Sequence, residues 1–307
     1  MSEAPPSYLL DKDRVRRNFD RAAARYDGVA ELQAETGQRL LERLDYVKLQ
    51  PECIIDLGSG TGRLTRALAK RYPKARIIAL DLAEGMLQQA RIGTRPRIPF
   101  TPRRQHHVCG DMEALPFRDG SCDLLISNLA LQWCNDPDRV FTEFRRIMRP
   151  GGLVTFTTCG PDTLRELRQA WRAVDDFAHV NAFIDMHDIG DGLLRAGLAD
   201  PVMDREDIAL TYRELKTFLR DLKQLGAANS SHGRPRGLTG PRRLAQLSES
   251  YEAFRTKDGL LPASYEIVFG HCWAIDTPTR QSPSEARIPV ADIMRRRTNK
   301  LGVNKDD

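Results

Sequence analysis

The sequence lacks the features that several large classes of protein require. No apolar run approaches the roughly 20 residues that cross a bilayer, so we expect no membrane span and no membrane partner. Residues 1–20 are charged early and contain no apolar signal segment, which predicts a chain that is not secreted. The composition, 41% hydrophobic and 29% charged over 307 residues, is instead typical of a globular protein with a substantial core.

Cysteine is sparse and never clustered. The six cysteines occur singly, with no Cys-x-x-Cys pair and no Cys/His spacing typical of zinc. Several fall inside predicted strands, which favours small buried thiols in a reducing compartment. We therefore predict no metal site and a cytoplasmic location.

The C-terminal third of the chain carries an excess of positive charge. Residues 213–257 contain ten Lys/Arg against four Asp/Glu, within a net charge of +5 for the whole chain. Such an excess predicts either an acidic partner or an ordinary solvated basic face. The loop at 226–240 lacks interleaved aromatic residues and no RNA-binding motif accompanies it, so we expect no nucleic-acid partner.

Strand and helix patterns alternate along most of the chain. Apolar residues at helical intervals predict helices over 13–26 and 31–44, before the first strand at 53–57. Four further strands follow, at 76–80, 106–109, 122–128 and 153–158, and helical patterns at 62–71, 84–91 and 137–148 lie between most of them. Such βαβ units predict an α/β fold, with a mostly parallel sheet covered by helices on both faces.

The rhythm changes after residue 160. We predict two more strands, at 202–211 and 265–274. Further helices are predicted at 162–177, 188–196, 213–225 and 242–254. This pattern predicts a helical cap at 1–50 and one main domain at 51–276, with insertions near 161–200 and 213–262. The polar, proline-dotted segment 277–307 is typical of a disordered tail.

Three glycines at alternate positions follow the first predicted strand. Asp56 lies at the end of that strand, and Gly58, Gly60 and Gly62 lead directly into a helical pattern. Glycine lets a backbone turn tightly and approach a bulky ligand closely, although a strand-to-helix turn can also be a simple chain reversal. The spacing differs from the Gly-x-Gly-x-x-Gly of dinucleotide-binding proteins and favours an adenosyl ligand without a pyrophosphate.

Polar residues also end the next three predicted strands. Asp81, about 20 positions beyond the glycines, is placed to accept hydrogen bonds from the hydroxyls of a ribose. The alternative is that Asp81 caps the next helix. Leu82 offers an apolar wall to an adenine ring, Met112 could pack on it, and Asp111 could accept from its amine, although Gly-Asp alone is a turn signal. Asn128 ends the fourth strand. Because ligands of open parallel sheets bind beyond the carboxyl ends of the strands, we expect these residues to share one site.

Taken in order, these motifs resemble class I S-adenosylmethionine-dependent methyltransferases. The resemblance rests on residues 56–62, 81, 110–117 and 149–152 and covers about residues 54–158. It implies S-adenosyl-L-methionine as the cofactor and a Rossmann-like sheet of seven strands whose last strand is antiparallel. In this family an N-terminal tyrosine covers the cofactor, and Tyr26 is the candidate here, with a buried structural anchor as the alternative.

A narrower resemblance lies in the segments 127–134, 160–167 and 181–191. Over about residues 15–274 the chain is similar to the malonyl-[acyl-carrier protein] O-methyltransferases of biotin synthesis, with Ser59 where that family often has Cys. The resemblance implies methyl transfer to the free carboxylate of a malonyl thioester on acyl-carrier protein or coenzyme A. Two alternatives are open. One is a protein-modifying relative, like the arginine-hydroxylating assembly factor of respiratory complex I, and the other is a non-catalytic S-adenosylmethionine-binding scaffold.

The implied reaction calls for a cation more than for a catalytic base. A carboxylate is already ionised at neutral pH, and an arginine fork can hold it in fixed geometry. Arg165, Arg168 and Arg172 share one face of a predicted helix and are the candidates, with a solvated face as the alternative. His187 is more typical of a cap for the helix near Asp188 than of a proton carrier.

The basic stretch then acquires a candidate partner through the resemblance. Acyl-carrier proteins are strongly acidic, and the segment 234–243 could dock such a surface by charge complementarity. The arginines of this segment are Arg234, Arg236, Arg242 and Arg243.

Overall fold

The computed structural model describes residues 6, 8–93, 104–235, 237 and 239–275. The predicted tail at 277–307 and Arg236 lie outside these described residues. None of the helices in the described part of the chain is long and apolar enough to cross a membrane.

Seven strands form one sheet. They are β1 (Cys53–Leu57), β2 (Arg76–Asp81), β3 (Gln105–Cys109), β4 (Cys122–Asn128), β5 (Met148–Cys159), β6 (Leu198–Tyr212) and β7 (Leu261–Ala274). The spatial order is β3-β2-β1-β4-β5-β7-β6. Strands β1 to β5 pair in parallel, and β7 runs antiparallel to both of its neighbours. The predicted α/β class, the strand number and the antiparallel last strand are confirmed.

Helices connect and cover the strands. They are α1 (Lys12–Ala22), α2 (Glu31–Arg43), α3 (Arg63–Arg71), α4 (Glu84–Gly93), α5 (Pro137–Ile147), α6 (Arg165–Arg172), α7 (Met186–Arg195), α8 (Leu215–Gln224) and α9 (Pro241–Glu252). Helices α6 and α7 lie between β5 and β6 in the chain, and α8 and α9 lie between β6 and β7.

Alternation along each strand sends neighbouring side chains into opposite layers of the core. Ile54 packs in one apolar cluster with α2, α3 and α6, whereas Ile55 packs in a second cluster with α5 and α7. Leu124 and Leu125 of β4 divide between the same two clusters. Because helices cover both faces of the central sheet, the interior of β4 is apolar on both sides, whereas the edge strands β3 and β6 carry polar and exposed residues.

Two helices are shorter than predicted, and the one predicted over 162–177 already ends at Arg172. The helix predicted from residue 162 begins at Arg165, because Leu164 has a φ of +56°, a left-handed conformation that a helix cannot contain. The helix predicted over 13–26 ends at Ala22, where a tight hydrogen bond from Arg25 N to the Ala22 carbonyl closes it. Tyr26 therefore lies in a separate short 3₁₀ turn, Tyr26–Gly28.

The segment before α1 is anchored to a distant loop. Leu10 forms an antiparallel bridge with Ser231, and the backbone of Asp11 donates to the Ser230 carbonyl at 2.8 Å. The Asn135 side chain also binds this segment. Its amide oxygen accepts from the Leu10 amide at 2.8 Å, and its amide nitrogen donates to the Leu10 carbonyl at 3.0 Å. Helix α1 is thereby held between the loop after β4 and the loop after α8.

Candidate cofactor and substrate site

The glycine turn after β1 uses backbone conformations that favour glycine. Gly58, Gly60 and Gly62 have φ values of +68°, +54° and +78°. A Cβ on Gly58 would lie 2.2 Å from the Cβ of Ala130, which is far shorter than van der Waals contact allows. The turn therefore needs glycine for close backbone packing as well as for its conformation.

Asp81 at the end of β2 organises this turn. Its carboxylate accepts from the Gly60 amide at 2.8 Å and from the Ala83 amide at 2.9 Å. The group is buried, and burial raises its pKa to about 6 even though both backbone bonds favour the ionised form. A buried carboxylate oxygen at the end of β2 is suited to accept from a hydroxyl of a bound ribose.

Asp56 is the second buried carboxylate of the site. Thr65 on α3 donates to it through a hydroxyl at 2.5 Å. Burial raises the pKa of Asp56 to about 7, against the opposing effect of the Thr65 bond, and the nearby Asp81 carboxylate adds to the rise. A carboxyl in this state is poised to ionise when a positively charged ligand approaches.

Two small cavities flank the glycine turn. One, of about 110 Å³, is lined by Asp56, by the turn itself and by residues of α2, and the other, of about 80 Å³, is lined by Asp81, Leu82 and Met112. Asn128 and Tyr26 line both. The donor and acceptor set fits an adenosyl amino acid, with apolar walls and Asp81 on the nucleoside side and Asp56 on the side of a cationic group.

Asp111 lies in the predicted place but has a partner of its own. Lys12 of α1 contacts both of its carboxylate oxygens at 3.0 Å and also pairs with Glu113 at 2.8 Å. The Asp111 carboxylate therefore anchors α1 beside the cavity that Met112 lines. Sequence reasoning missed Lys12, which lines that cavity together with Val15 at helical spacing.

Asn128 joins the sheet to the N-terminal helices. Its amide nitrogen donates to the carbonyl of Gln33 on α2 at 2.9 Å, and its amide oxygen accepts from the Thr157 hydroxyl at 2.7 Å. Gly37 of α2 permits this approach, because a Cβ there would lie 3.2 Å from the Asn128 amide nitrogen. Leu129, the next residue, has a φ of +51° and lines the small cavity next to Asp81.

A large cavity of about 760 Å³ lies beside the two small ones. Tyr26 lines all three cavities, and its ring lies about 4.0 Å from where a Cβ of Gly60 would be. Phe19 and Trp133, packed edge to face at 5.1 Å, line both the large cavity and the cavity next to Asp81. These three aromatic side chains form the shared wall between the cofactor cavities and the large cavity.

Helix α1 presents one face to each side of that wall. Lys12, Val15 and Phe19 line the cavity next to Asp81. Arg14, Asn18 and Arg21 line the large cavity, and Phe19 does so too. Spacings of three and four residues put each set on one helix face, which is the pattern that a search for this site in the sequence would need.

Five cations line the large cavity, and none of them forms an ion pair in the described part of the chain. They are Arg14, Arg21, Arg25, Arg220 and Lys223. Arg14 is half-buried and its Nε is buried without a hydrogen-bond partner, whereas the other four are exposed. Burial, and next the neighbouring Arg234, lower the pKa of Arg14. Sequence reasoning missed all five as site residues.

The arginines predicted to hold the substrate do not line this cavity. Arg165 is exposed and contacts Glu166, and Arg172 is exposed. Arg168 donates to the Pro161 carbonyl at 2.8 Å, so it closes the start of α6. The opposite face of this helix, with Leu167 and Trp171, is the one that lines the cavity.

His187 does not cap a helix. Helix α7 begins at Met186, and Asp185 is its N-cap, accepting from the His187 amide at 2.8 Å. The exposed His187 ring also contacts the Asp185 carboxylate at 2.6 Å. The short side chain of aspartate reaches the free amides of a first turn, which explains why it takes the cap position.

Comparison with known proteins identifies the family. A family model described as a methyltransferase domain matches residues 55–156. A malonyl-[acyl-carrier protein] O-methyltransferase of Methylovorus sp. (strain MP688) is 50% identical over 269 residues, covering 87% of this chain and 90% of that protein. One of Halorhodospira halophila (strain DSM 244 / SL1) is 49% identical over 291 residues, covering 94% and 97%.

Solved structures show the same fold at lower identity. A chain from the complex of the Haloferax volcanii Trm112 methyltransferase activator with a methyltransferase matches with a TM-score of 0.55 and 19% identity, covering 86% of this chain and 98% of that one. Haemonchus contortus phosphoethanolamine N-methyltransferase 2, in complex with S-adenosyl-L-methionine, matches with a TM-score of 0.53 and 15% identity, covering 85% and 60%. Identity to the curated relatives extends over nearly the whole chain, and this chain therefore belongs to the malonyl-[acyl-carrier protein] O-methyltransferase family.

Proposed function

We propose that this protein transfers a methyl group from S-adenosyl-L-methionine to the free carboxylate of malonyl-acyl-carrier protein, an early step of biotin synthesis. The observation that carries the proposal is a large cavity with unpaired cations that shares an aromatic wall with the cofactor cavities. Kinship with the named relatives supports the same reaction and does not favour either alternative raised by the sequence.

The cofactor supplies a methyl group on a positively charged sulfur. The chain's part is to hold that group and to exclude water. Asp81 would accept from the ribose hydroxyls, Leu82 and Met112 would pack against the adenine, and the Asp56 carboxylate would face the cationic side. Tyr26 would cover the reacting group, with its phenol kept neutral because burial raises its pKa.

The first 50 residues would act as a helical cap over the two small cavities and the large cavity. Asp111 supports this role by holding Lys12, so its contribution to the cofactor would be indirect. Thr61 in the glycine turn donates to the Asp27 carboxylate at 2.6 Å, which ties the turn of Tyr26 to the cofactor loop. The remaining chain to residue 276 would form the catalytic domain with its two insertions.

Arg14 is our proposed partner for the malonyl carboxylate. It is the half-buried cation of the large cavity, and its buried Nε has no protein partner in the described residues. A guanidinium that has lost water and gained no protein acceptor would be compensated by a bound carboxylate. The α6 arginines lack this position, so we transfer the role from them to Arg14.

No residue needs to act as a base in this reaction. The malonyl carboxylate is ionised at neutral pH, and its oxygen would attack the methyl carbon directly. The carbon–sulfur bond would break as the carbon–oxygen bond forms, and the sulfur would leave as a neutral thioether. The protein must align the attacking oxygen with the methyl carbon and exclude water, which is a matter of geometry. Phe19, Trp133 and Tyr26 supply the apolar wall at that place.

The segment 234–243 is proposed as part of the docking surface for the acidic carrier protein. Arg242 is exposed and lies in no ion pair in the described residues, so it is free to meet an acidic partner. Arg234 and Arg243 are partly committed, since they approach Asp11 and Asp175 at 3.6 Å. We also propose a cytoplasmic location, which is consistent with six free cysteines, four of them buried.

A label-transfer assay tests the function and the role of Arg14 together. Labelled cofactor is incubated with malonyl-acyl-carrier protein and, separately, with the acetyl form. We expect label only in the malonyl form, and equal labelling of both forms would refute carboxylate methylation. Arg14→Ala should lower kcat/KM for the malonyl substrate by about 10- to 100-fold, the worth of a charge-assisted pair, with an unchanged cofactor Kd.

Arg17→Ala is the matched control for this variant. Arg17 is on the same helix, is exposed and does not line the large cavity. Its removal should leave kcat/KM within about twofold, since exposed charges contribute little. Equal losses in the Arg14 and Arg17 variants would mean that only the net charge of α1 matters, which would contradict the assignment.

A further inference from the structure

The mouth of the large cavity carries four cations that form no ion pair with any residue that the structure describes. We define these mouth cations as Arg21, Arg25, Arg220 and Lys223, which line the cavity and are exposed. Exposed residues that line a cavity lie at its opening. Other arginines of the described chain are neutralised, as Arg146 is by Glu143 and Asp119.

The mouth cations come from two separate elements. Arg21 is in the last turn of α1 and Arg25 follows it, whereas Arg220 and Lys223 lie three residues apart on α8 and so share a face. Like charges gathered at one opening repel each other and focus a positive potential into the cleft. Such an arrangement is stabilised when an anion binds between them.

One carboxylate, Asp221, also lines the large cavity. It forms no ion pair in the described residues, and it is one negative charge against the four positive charges of the mouth cations. Burial, and next the Asp221 carboxylate, raise the pKa of the Tyr212 phenol to about 12. The balance at the opening is therefore positive.

We propose that the mouth cations bind the phosphate of the phosphopantetheine arm that carries the malonyl group. The inference rests on the proposed function, because it requires a thioester substrate whose carboxylate reaches Arg14. An arm that enters the cavity with its carboxylate inward leaves its phosphate at the opening, where the cations are. The same cavity is also lined by the apolar side chains of Leu167, Phe183 and Leu219, which suit the uncharged arm.

Three substrates of decreasing size distinguish the contribution of the phosphate to binding from that of the carrier protein. They are malonyl-acyl-carrier protein, malonyl-phosphopantetheine and malonyl-pantetheine, which lacks the phosphate. The double variant Arg220→Ala/Lys223→Ala is compared with the wild type and with Lys216→Ala. Lys216 is the matched control, since it is an exposed lysine of α8 that does not line the cavity.

The double variant should raise KM about tenfold or more for the two substrates that contain phosphate and leave KM for malonyl-pantetheine within about twofold. Lys216→Ala should change none of the three. A rise confined to the carrier protein would overturn the phosphate assignment in favour of a protein contact. An equal rise for all three substrates, or no rise, would also overturn it. A wild-type protein that methylates no malonyl thioester would instead refute the proposed function.

Discussion

The buried Asp56 carboxyl predicts that cofactor affinity depends on pH. Its pKa is raised by burial to about 7 in the absence of ligand. S-adenosyl-L-methionine is positively charged, and a cation binds the ionised carboxylate more tightly than the neutral acid. Binding should therefore release a proton, and affinity should increase as the pH rises through 7.

The size of the effect follows from the fraction of Asp56 that is ionised. At about pH 6 a group with a pKa of about 7 is roughly one-tenth ionised, and at about pH 8 it is roughly nine-tenths ionised. If only the ionised form binds well, the Kd should fall about tenfold between these values and then level off. Asp81, with a pKa of about 6, adds about a factor of two at the acidic end.

The perturbation is Asp56→Asn, which keeps the shape and the bond from Thr65 but removes the titration. Titration calorimetry gives the Kd across the pH range, and repeating it in buffers of different ionisation enthalpy counts the protons released. The variant should bind more weakly at about pH 8 and should retain only the small dependence due to Asp81. A wild-type Kd that is constant between about pH 6 and about pH 8 would refute the reasoning.

The same carboxyl affects stability, and the sign can be worked out. The folded-state pKa of about 7 lies above the value of roughly 3.9 in an unfolded chain. The folded protein thus binds this proton more tightly, and the contribution to stability is lost as the pH rises from about 4 to about 7. Since one pKa unit corresponds to about 1.36 kcal/mol, the loss is roughly 4 kcal/mol at most. Asp56→Asn should remove it, so the ligand-free variant should be the more stable protein at about pH 8.

Two further variants test the cradle and the cap. Gly58→Ala should destabilise the protein by about 1–3 kcal/mol more than Gly120→Ala in urea unfolding, because both have positive φ but only the first meets the Cβ of Ala130; equal losses would contradict the packing argument. Lys12→Met should lower the free energy of unfolding by about 1–2 kcal/mol and weaken cofactor binding several-fold in calorimetry, because the ion pairs of Lys12 are half-buried. Arg16→Ala breaks an exposed pair and should cost less than about 0.5 kcal/mol. An unchanged cofactor Kd in the Lys12 variant would contradict its anchoring role.

The meeting of the predicted cofactor residues at one end of the sheet was predictable because its signals are local. Alternating glycines and an acid at a strand end are constrained by the backbone they sit on. Parallel topology then brings the ends of adjacent strands together, so Asp56, Asp81 and Asn128 meet at one edge without further information. The bounds of the inner strands were close for the same reason.

The lining of the large cavity was not predictable in this way. Helical spacing shows which residues share a face but not which neighbour that face meets. The α6 arginines do share a surface, yet the apolar side of α6 lines the cavity and turns them away from it. Arg14 and Lys223 are distant in the chain, and only tertiary packing brings both to one cavity.

Because the phenol ring of Tyr26 borders the large cavity and both small cavities, a cofactor and a thioester held in them could not bind independently if either displaced it. Any shift of this ring that the cofactor produces changes the free energy of thioester binding. Thermodynamic reciprocity then requires the thioester to change cofactor affinity by the same factor. A Tyr26 ring that either ligand moves would therefore couple the two binding events, so that the ternary complex would be favoured or disfavoured as a unit.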